Sequence, residues 1–219
     1  MPHLLHLDSS ADLTNSRTRA VGASFVESWL AADPLNTVTH RDLHRDPLPH
    51  LVDSALHWPQ RLRPEGSNPP ADAEALQATL LDELFAADVL LVGAPLYNYS
   101  MPSTLKAWID YIHVPGVTAP SDVDSQPMRG RPAVIVTARG GVYDEGTPTA
   151  GWDHAVPALR LILGTALGMP VTVVTTNLTL AADVPALADQ LERSVEELQL
   201  AHDEARAAGS HLGGMTRLE

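Results

Sequence analysis

Cysteine is absent from all 219 residues, which excludes disulfides, thiolate nucleophiles, Cys-ligated zinc and iron–sulfur ligation. Basic residues are scarce, 14 against 27 acidic ones, for a formal net charge of −13. A surface of that sign repels nucleic-acid phosphates and anionic membranes, so neither is expected as a partner. No uninterrupted apolar run approaches the roughly 20 residues of a membrane span. Met1-Pro2-His3-Leu4-Leu5 lacks the basic region and apolar stretch of a signal peptide, so a cytoplasmic location is the expectation. The ten histidines are scattered, with His40, His44, His50 and His57 in one long loop region, and no metal site is expected.

What is present is an ordinary globular composition, 44% hydrophobic and 19% charged, in a length that suits one domain. Leu4-Leu5-His6-Leu7, ended by Asp8-Ser9-Ser10, reads as a buried strand. From about Arg17 to Ala32, Val21, Phe25 and Trp29 recur every fourth residue and give one apolar helix face. Thr37 to Leu43 alternates as a more exposed strand. Residues 43–70 carry Pro47, Pro49, Pro59, Pro64, Pro69 and Pro70, too many for regular structure, and a loop this long in a compact domain predicts a lid. A helix over Ala71–Ala87 leads into Asp88–Gly93, a strand buried on both faces. A short helix follows from Pro102, a strand at Pro132–Thr137, a helix over about Asp153–Leu167 and a fifth strand at Pro170–Thr176. The last helix opens near Asp183-Val184-Pro185 with Leu187, Leu191, Val195 and Leu198 on one face. The tail from Gly209 to Glu219 has no periodicity and is expected to be loose, leaving 1–208 as the single domain. Five apolar strands alternating with helices define an α/β fold with a parallel sheet, whose ligands sit beyond the carboxyl ends of the strands.

Three loops at those ends carry unusual chemistry. Asp8-Ser9-Ser10 through Ser16-Arg17-Thr18 runs into a helix whose first N–H groups and positive dipole end attract phosphate. The hydroxyls of Ser10, Ser16 and Thr18 add donors, and Arg17 adds charge. No glycine occurs in this loop, so neither a dinucleotide G-x-G-x-x-G nor a Walker loop is possible, and a phosphate monoester fits better. Helix capping by Ser16 would account for the same residues equally well.

Ala94-Pro95-Leu96-Tyr97-Asn98-Tyr99-Ser100-Met101-Pro102 is stiffened by prolines and concentrates aromatic and amide groups, a wall for a planar heteroaromatic ring. The alternative is a rigid turn whose tyrosines pack under the next helix. Ala138-Arg139-Gly140-Gly141-Val142-Tyr143 permits close backbone approach at its paired glycines and sets the Tyr143 hydroxyl at the rim.

At these residues the chain resembles the FMN-dependent NADH-azoreductase and NAD(P)H:quinone reductase family. Ala94 to Asp110 is similar to that family's P-x-Y-N-x-x-x-P-x-x-L-K-x-x-x-D signature at every defined position. Asp8-Ser9-Ser10 with Ser16-Arg17-Thr18 looks like its phosphate loop, and Thr137 to Gly141 like its S-R-G-G loop. The likeness reaches from the N-terminus to about residue 200. It implies a flavodoxin-like three-layer sandwich, a five-stranded parallel sheet in order 2-1-3-4-5 with helices on both faces, and a homodimer.

By this resemblance Ser10, Ser16, Arg17 and Thr18 surround the FMN phosphate. Pro95, Leu96, Tyr97, Asn98 and Tyr99 line the ring and ribityl chain, and Ala138, Arg139, Gly140 and Gly141 the pyrimidine edge. The implied activity is two-electron, ping-pong hydride transfer from NADH or NADPH to a quinone or azo acceptor. Tyr143 stands where family members often carry histidine and is the candidate donor to the acceptor oxygen. Gly116 to Ser121 lacks the family's usual aromatics, and Trp58 is a candidate wall of the acceptor pocket or, equally, an anchor for its loop. The rival functions are a non-enzymatic electron carrier or flavin sensor, and a scaffold without flavin.

Overall fold

The structure, a computed structural model, describes residues 1–215. Its strands are β1 (His3–Asp8), β2 (Thr37–Asp42), β3 (Val89–Gly93), β4 (Ala133–Ala138) and β5 (Val171–Thr176). All pair in parallel, in the order β2-β1-β3-β4-β5, as the resemblance implied. The helices are α1 (Arg17–Ala32), α2 (Ala71–Ala86), α3 (Ser103–Ile112), α4 (Ala155–Leu159) and α5 (Leu191–Gly213).

Side chains alternate across a strand, and here both faces are apolar. Leu5, Leu7, Leu90, Val92 and Ile135 face one core with Leu80, Leu84, Leu105, Trp108 and Leu159 from α2, α3 and α4. Leu4, Leu91, Val134, Val136 and Val174 face the other, under Val21, Phe25 and Trp29 of α1 and Ala201 and Ala205 of α5. Two helical layers therefore sandwich the sheet.

Three elements depart from the sequence reading. The tail is not loose from Gly209: α5 continues to Gly213, and residues 216–219 lie outside the described set. The reason is a close helix crossing that only glycine allows, since a Cβ on Gly209 would stand 2.3 Å from the Phe25 carbonyl oxygen. Asn36 then closes the helix end, its Nδ2 donating to the carbonyls of Gly213 (2.9 Å) and Trp29 (2.7 Å). The helix expected over 153–167 begins as α4 and widens into a π-helical run over Arg160–Ala166, where the Leu167 amide reaches back to the Ile162 carbonyl. α5 itself starts at Leu191, after a 3₁₀ turn over Pro185–Gln190 that takes up the expected helix start.

The proline-rich segment is strapped to the body. It forms 3₁₀ turns at Ser54–His57 and Gln60–Leu62 and buries Leu43 and Leu56 completely. Buried Gln77 of α2 holds it, donating from Nε2 to the carbonyls of Leu56 (2.8 Å) and Tyr111 (2.9 Å). Arg61 pairs with Asp122, and Arg63 with Glu74.

Candidate active site

The loops after β1, β3, β4 and β5 meet around a cavity of about 660 Å³, within the range of small-molecule sites. The loop after β1 is tied down from both ends. Ser9 Oγ donates to the Gly93 carbonyl at 2.6 Å, and the Asp12 carboxylate accepts from the amides of Thr14 (2.9 Å) and Asn15 (2.8 Å). Those two amide bonds hold the Asp12 carboxyl below its usual pKa. Ser16 caps α1, accepting from the Arg19 amide at 3.3 Å, and its Oγ lies 3.0 Å from Thr18 Oγ1. The amides of Arg17 and Thr18, in the first turn, have no partner among the described residues. Arg17 lines the cavity, so its amide is the one that an anion there would meet.

The turn after β3 is unusual in its backbone. Tyr97 and Ser100 exchange both backbone hydrogen bonds (2.8 and 3.0 Å), and the residues between them, Asn98 and Tyr99, have φ of 48° and 69°. Positive φ is familiar for asparagine but costs a bulky tyrosine about 1–3 kcal/mol, strain of a kind that clusters at ligand sites. The turn swings the Tyr97 ring across the first loop, where its hydroxyl lies 3.2 Å from Ser10 Oγ and accepts from the Ala11 amide at 3.1 Å.

The loop after β4 lies on the loop after β5. The amides of Thr179 and Leu180 donate to the carbonyls of Arg139 (3.0 Å) and Gly140 (3.4 Å). Leu180 closes over Gly140 so tightly that a Cβ there would sit 2.8 Å from Leu180 Cδ1.

Of the residues expected from sequence, the cavity lining contains Ser10, Ser16, Arg17, Pro95, Leu96, Tyr97, Asn98, Ala138 and Gly140. Thr18, Tyr99, Arg139, Gly141, Tyr143 and Trp58 are not part of it. Thr18 is fully buried behind Ser16. The Arg139 guanidinium turns away to Asp153, 2.5 Å distant, whose other oxygen accepts from the Ala155 and Val156 amides at the start of α4. Arg17 reaches the lining, but its head is engaged by Thr176 Oγ1 (3.1 Å), the carbonyls of Asn177 (3.0 Å) and Ser194 (3.2 Å), and Ser194 Oγ (2.6 Å). Burial lowers its pKa, against the opposing charge of Glu197.

Tyr99, Tyr143 and Trp152 form a separate aromatic cluster, with Tyr99 edge-on to Trp152 at 5.5 Å and to Tyr143 at 6.4 Å. Burial and the neighbouring Tyr99 raise the Tyr143 pKa, which keeps the phenol protonated. Trp58, 43% exposed, hydrogen-bonds through its backbone to Ala55 and Arg63.

Sequence reasoning missed Asp12, Asn15, Thr179, Leu180 and Asp183 in the lining. The last three belong to the loop after β5, whose position at a carboxyl strand end was the available signal.

A parallel sheet of this order with its cavity at the carboxyl ends defines a flavodoxin-like protein, and a family model described as flavodoxin-like fold matches residues 2–200. An FMN-dependent NADH:quinone oxidoreductase of Kineococcus radiotolerans is 59% identical over 206 residues, covering 94% of this chain and 97% of the relative. One of Streptomyces coelicolor is 37% identical, covering 94% and 92%. The FMN-dependent NADH-azoreductase of Bacillus anthracis, solved in complex with FMN, superposes with a TM-score of 0.77 at 21% identity, covering 97% of this chain and all of that one. At that identity the likeness speaks for the fold. The chain belongs to the family of FMN-dependent NADH:quinone oxidoreductases.

Proposed function

We propose that this chain binds FMN in the 660 Å³ cavity and passes two electrons from NADH or NADPH to a quinone or azo acceptor in a ping-pong cycle. The observation that carries the reading is the convergence of a helix start bearing free amides with a stiff aromatic turn on one cavity. The donor set fits the group: the Ser10 and Ser16 hydroxyls and the Arg17 amide suit a phosphate, while Pro95, Leu96, Tyr97 and Leu180 supply a flat, largely apolar wall. Gly140 fits it too, because any side chain there would displace Leu180 from that wall.

Bound FMN supplies the redox chemistry, as organic cofactors do. The chain's own work is to bind, orient and exclude water. Ser16 would donate a hydrogen bond to the phosphate while its lone pairs still cap the Arg19 amide. Arg17, locked to the β5 end and α5, adds a fixed positive charge behind the cradle. Tyr143 keeps its phenolic proton available for an acceptor oxygen, and Tyr99 and Trp152 offer aromatic edges beside it. Homodimerisation and a cytoplasmic location belong to the same proposal through the family resemblance.

An anaerobic spectrum decides between this enzyme and a non-enzymatic carrier. FMN-loaded protein is expected to bleach on adding NADH alone and to recover its colour with menadione. Protein that holds FMN but needs a partner reductase for bleaching is a carrier, and the proposal then fails.

A further inference from the structure

The pleat of β1 sends His6 and Asp8 to the same face of the sheet, and parallel pairing sets His40 of β2 directly beside His6. That face otherwise carries Leu4 and the core under α1, so two polar side chains have been placed in an apolar layer. His6 and Asp8 are 6% and 5% exposed. Buried His6 Nε2 and Asp8 Oδ1 face each other at 3.6 Å, and neither has a hydrogen-bond partner. The ion-pair contact is too long for a hydrogen bond, and a group bound between the two atoms would satisfy both. Two glycines let the pair pack here: a Cβ on Gly22 would stand 3.1 Å from His6 Nε2, and one on Gly93 3.0 Å from Asp8 Oδ1.

We propose that His6, Asp8 and His40 form a binding site for one Zn²⁺ ion at the junction of β1 and β2. One ligand atom from each residue lies within 4.8 Å of the other two. Zinc holds nitrogen and oxygen ligands at about 2.0–2.2 Å, so the three atoms must close by about an ångström. His40 makes that adjustment. Its side chain is 48% exposed and already rests 3.0 Å from Asp8 Oδ2, so a small shift of the ring is all the site needs. Two imidazoles and one carboxylate suit zinc, whereas magnesium and calcium prefer all-oxygen sets. A water completes the fourth position on the solvent side of His40.

The surrounding charges permit a cation. Arg19 lies 3.4 Å from Asp8 Oδ2, but its guanidinium is committed to Asp42, at 2.6 and 2.8 Å, and to the Ser10 carbonyl at 2.8 Å. Asp42 also draws the exposed Arg45 at 3.3 Å. The ion therefore takes Oδ1, the carboxylate oxygen that Arg19 does not approach. No sequence spacing announces such a site, since 32 residues separate Asp8 from His40. This inference is independent of the flavin reading.

The test is calorimetric titration of metal-free, full-length protein with Zn²⁺, repeated with Co²⁺ for its visible absorption. Wild-type protein and the control His50→Gln are expected to bind one tight equivalent. His40→Gln should weaken it at least about tenfold, as loss of a ligand does, and lose the cobalt band. The exposed position of His40 keeps that variant folded, and His6→Gln gives a second reading where it folds. An equivalent retained at wild-type affinity in His40→Gln, or wild-type protein that takes up no tight Zn²⁺, overturns the proposal.

Discussion

Replacing Ser16 separates the two tasks assigned to its hydroxyl. As a cap it accepts from the Arg19 amide at 3.3 Å, a long bond, so Ser16→Ala should cost about 0.5–1 kcal/mol of stability. In a protein of this size that is about 1–4 °C of melting temperature. As a phosphate donor it makes a charge-assisted bond worth about 1.5–3 kcal/mol, and each 1.4 kcal/mol is about tenfold in Kd. Ser16→Ala should therefore weaken FMN about 10- to 100-fold. Ser16→Asp sharpens the contrast. Aspartate caps as well as serine, and its charge favours the helix start, so the apoprotein should melt at or above the wild-type temperature. The same carboxylate beside a phosphate about 4 Å away is repelled by about 4 kcal/mol per charge pair at an effective dielectric of 20. FMN affinity should fall more than about 100-fold. Quenching of FMN fluorescence gives Kd, and thermal melting without FMN gives stability. Wild-type FMN affinity in Ser16→Asp would refute the placement of the phosphate at the start of α1.

Tyr143→Phe should lower quinone turnover several-fold while FMN affinity stays at the wild-type value, because the phenol lies outside the cavity lining. Steady-state kinetics with menadione checks this, and an unchanged kcat removes Tyr143 from the reaction. Gly209→Ala should destabilise the fold by about 1–3 kcal/mol through overpacking, despite the better helix propensity of alanine, since the obstacle is the Phe25 backbone at 2.3 Å. Urea unfolding measures it, and stability equal to wild type would show that α1 and α5 separate without cost.

The sheet was legible because parallel strands buried on both faces leave apolar runs such as Val89–Val92 and Val134–Val136, with helices of fitting period between them. The first, third and fourth loops were legible for their odd composition. What escaped reading was set by partners distant in sequence. Arg17 reads as a free cation in its loop, yet four hydrogen bonds from the ends of β5 and α5 hold it, from residues 159 to 177 positions away. Arg139 sits in a ligand-like motif but braces the start of α4 through Asp153. Gly209 and Gly213 suggest an unstructured tail until α1 is seen against them, when their missing side chains become the reason the helix continues. The loop after β5 has no distinctive composition, and only topology places it against Gly140.

The acidic character of the chain raises the question of how an anionic cofactor is held at all. Asp12 and Asp183 stand in the cavity lining, against which the residues there set only Arg17. Distance and direction resolve the conflict. Exposed charges more than about 8–10 Å away are screened at ordinary ionic strength, so the net charge of −13 acts weakly on a bound phosphate. Asp12 spends its carboxylate on the Thr14 and Asn15 amides, shaping the loop that carries Ser16. On the proposed placement the groups in direct contact would be hydroxyls and a helix-start amide, which do not depend on the overall field. An acidic protein can thus hold a phosphate monoester through backbone geometry, without a net positive field to draw it in.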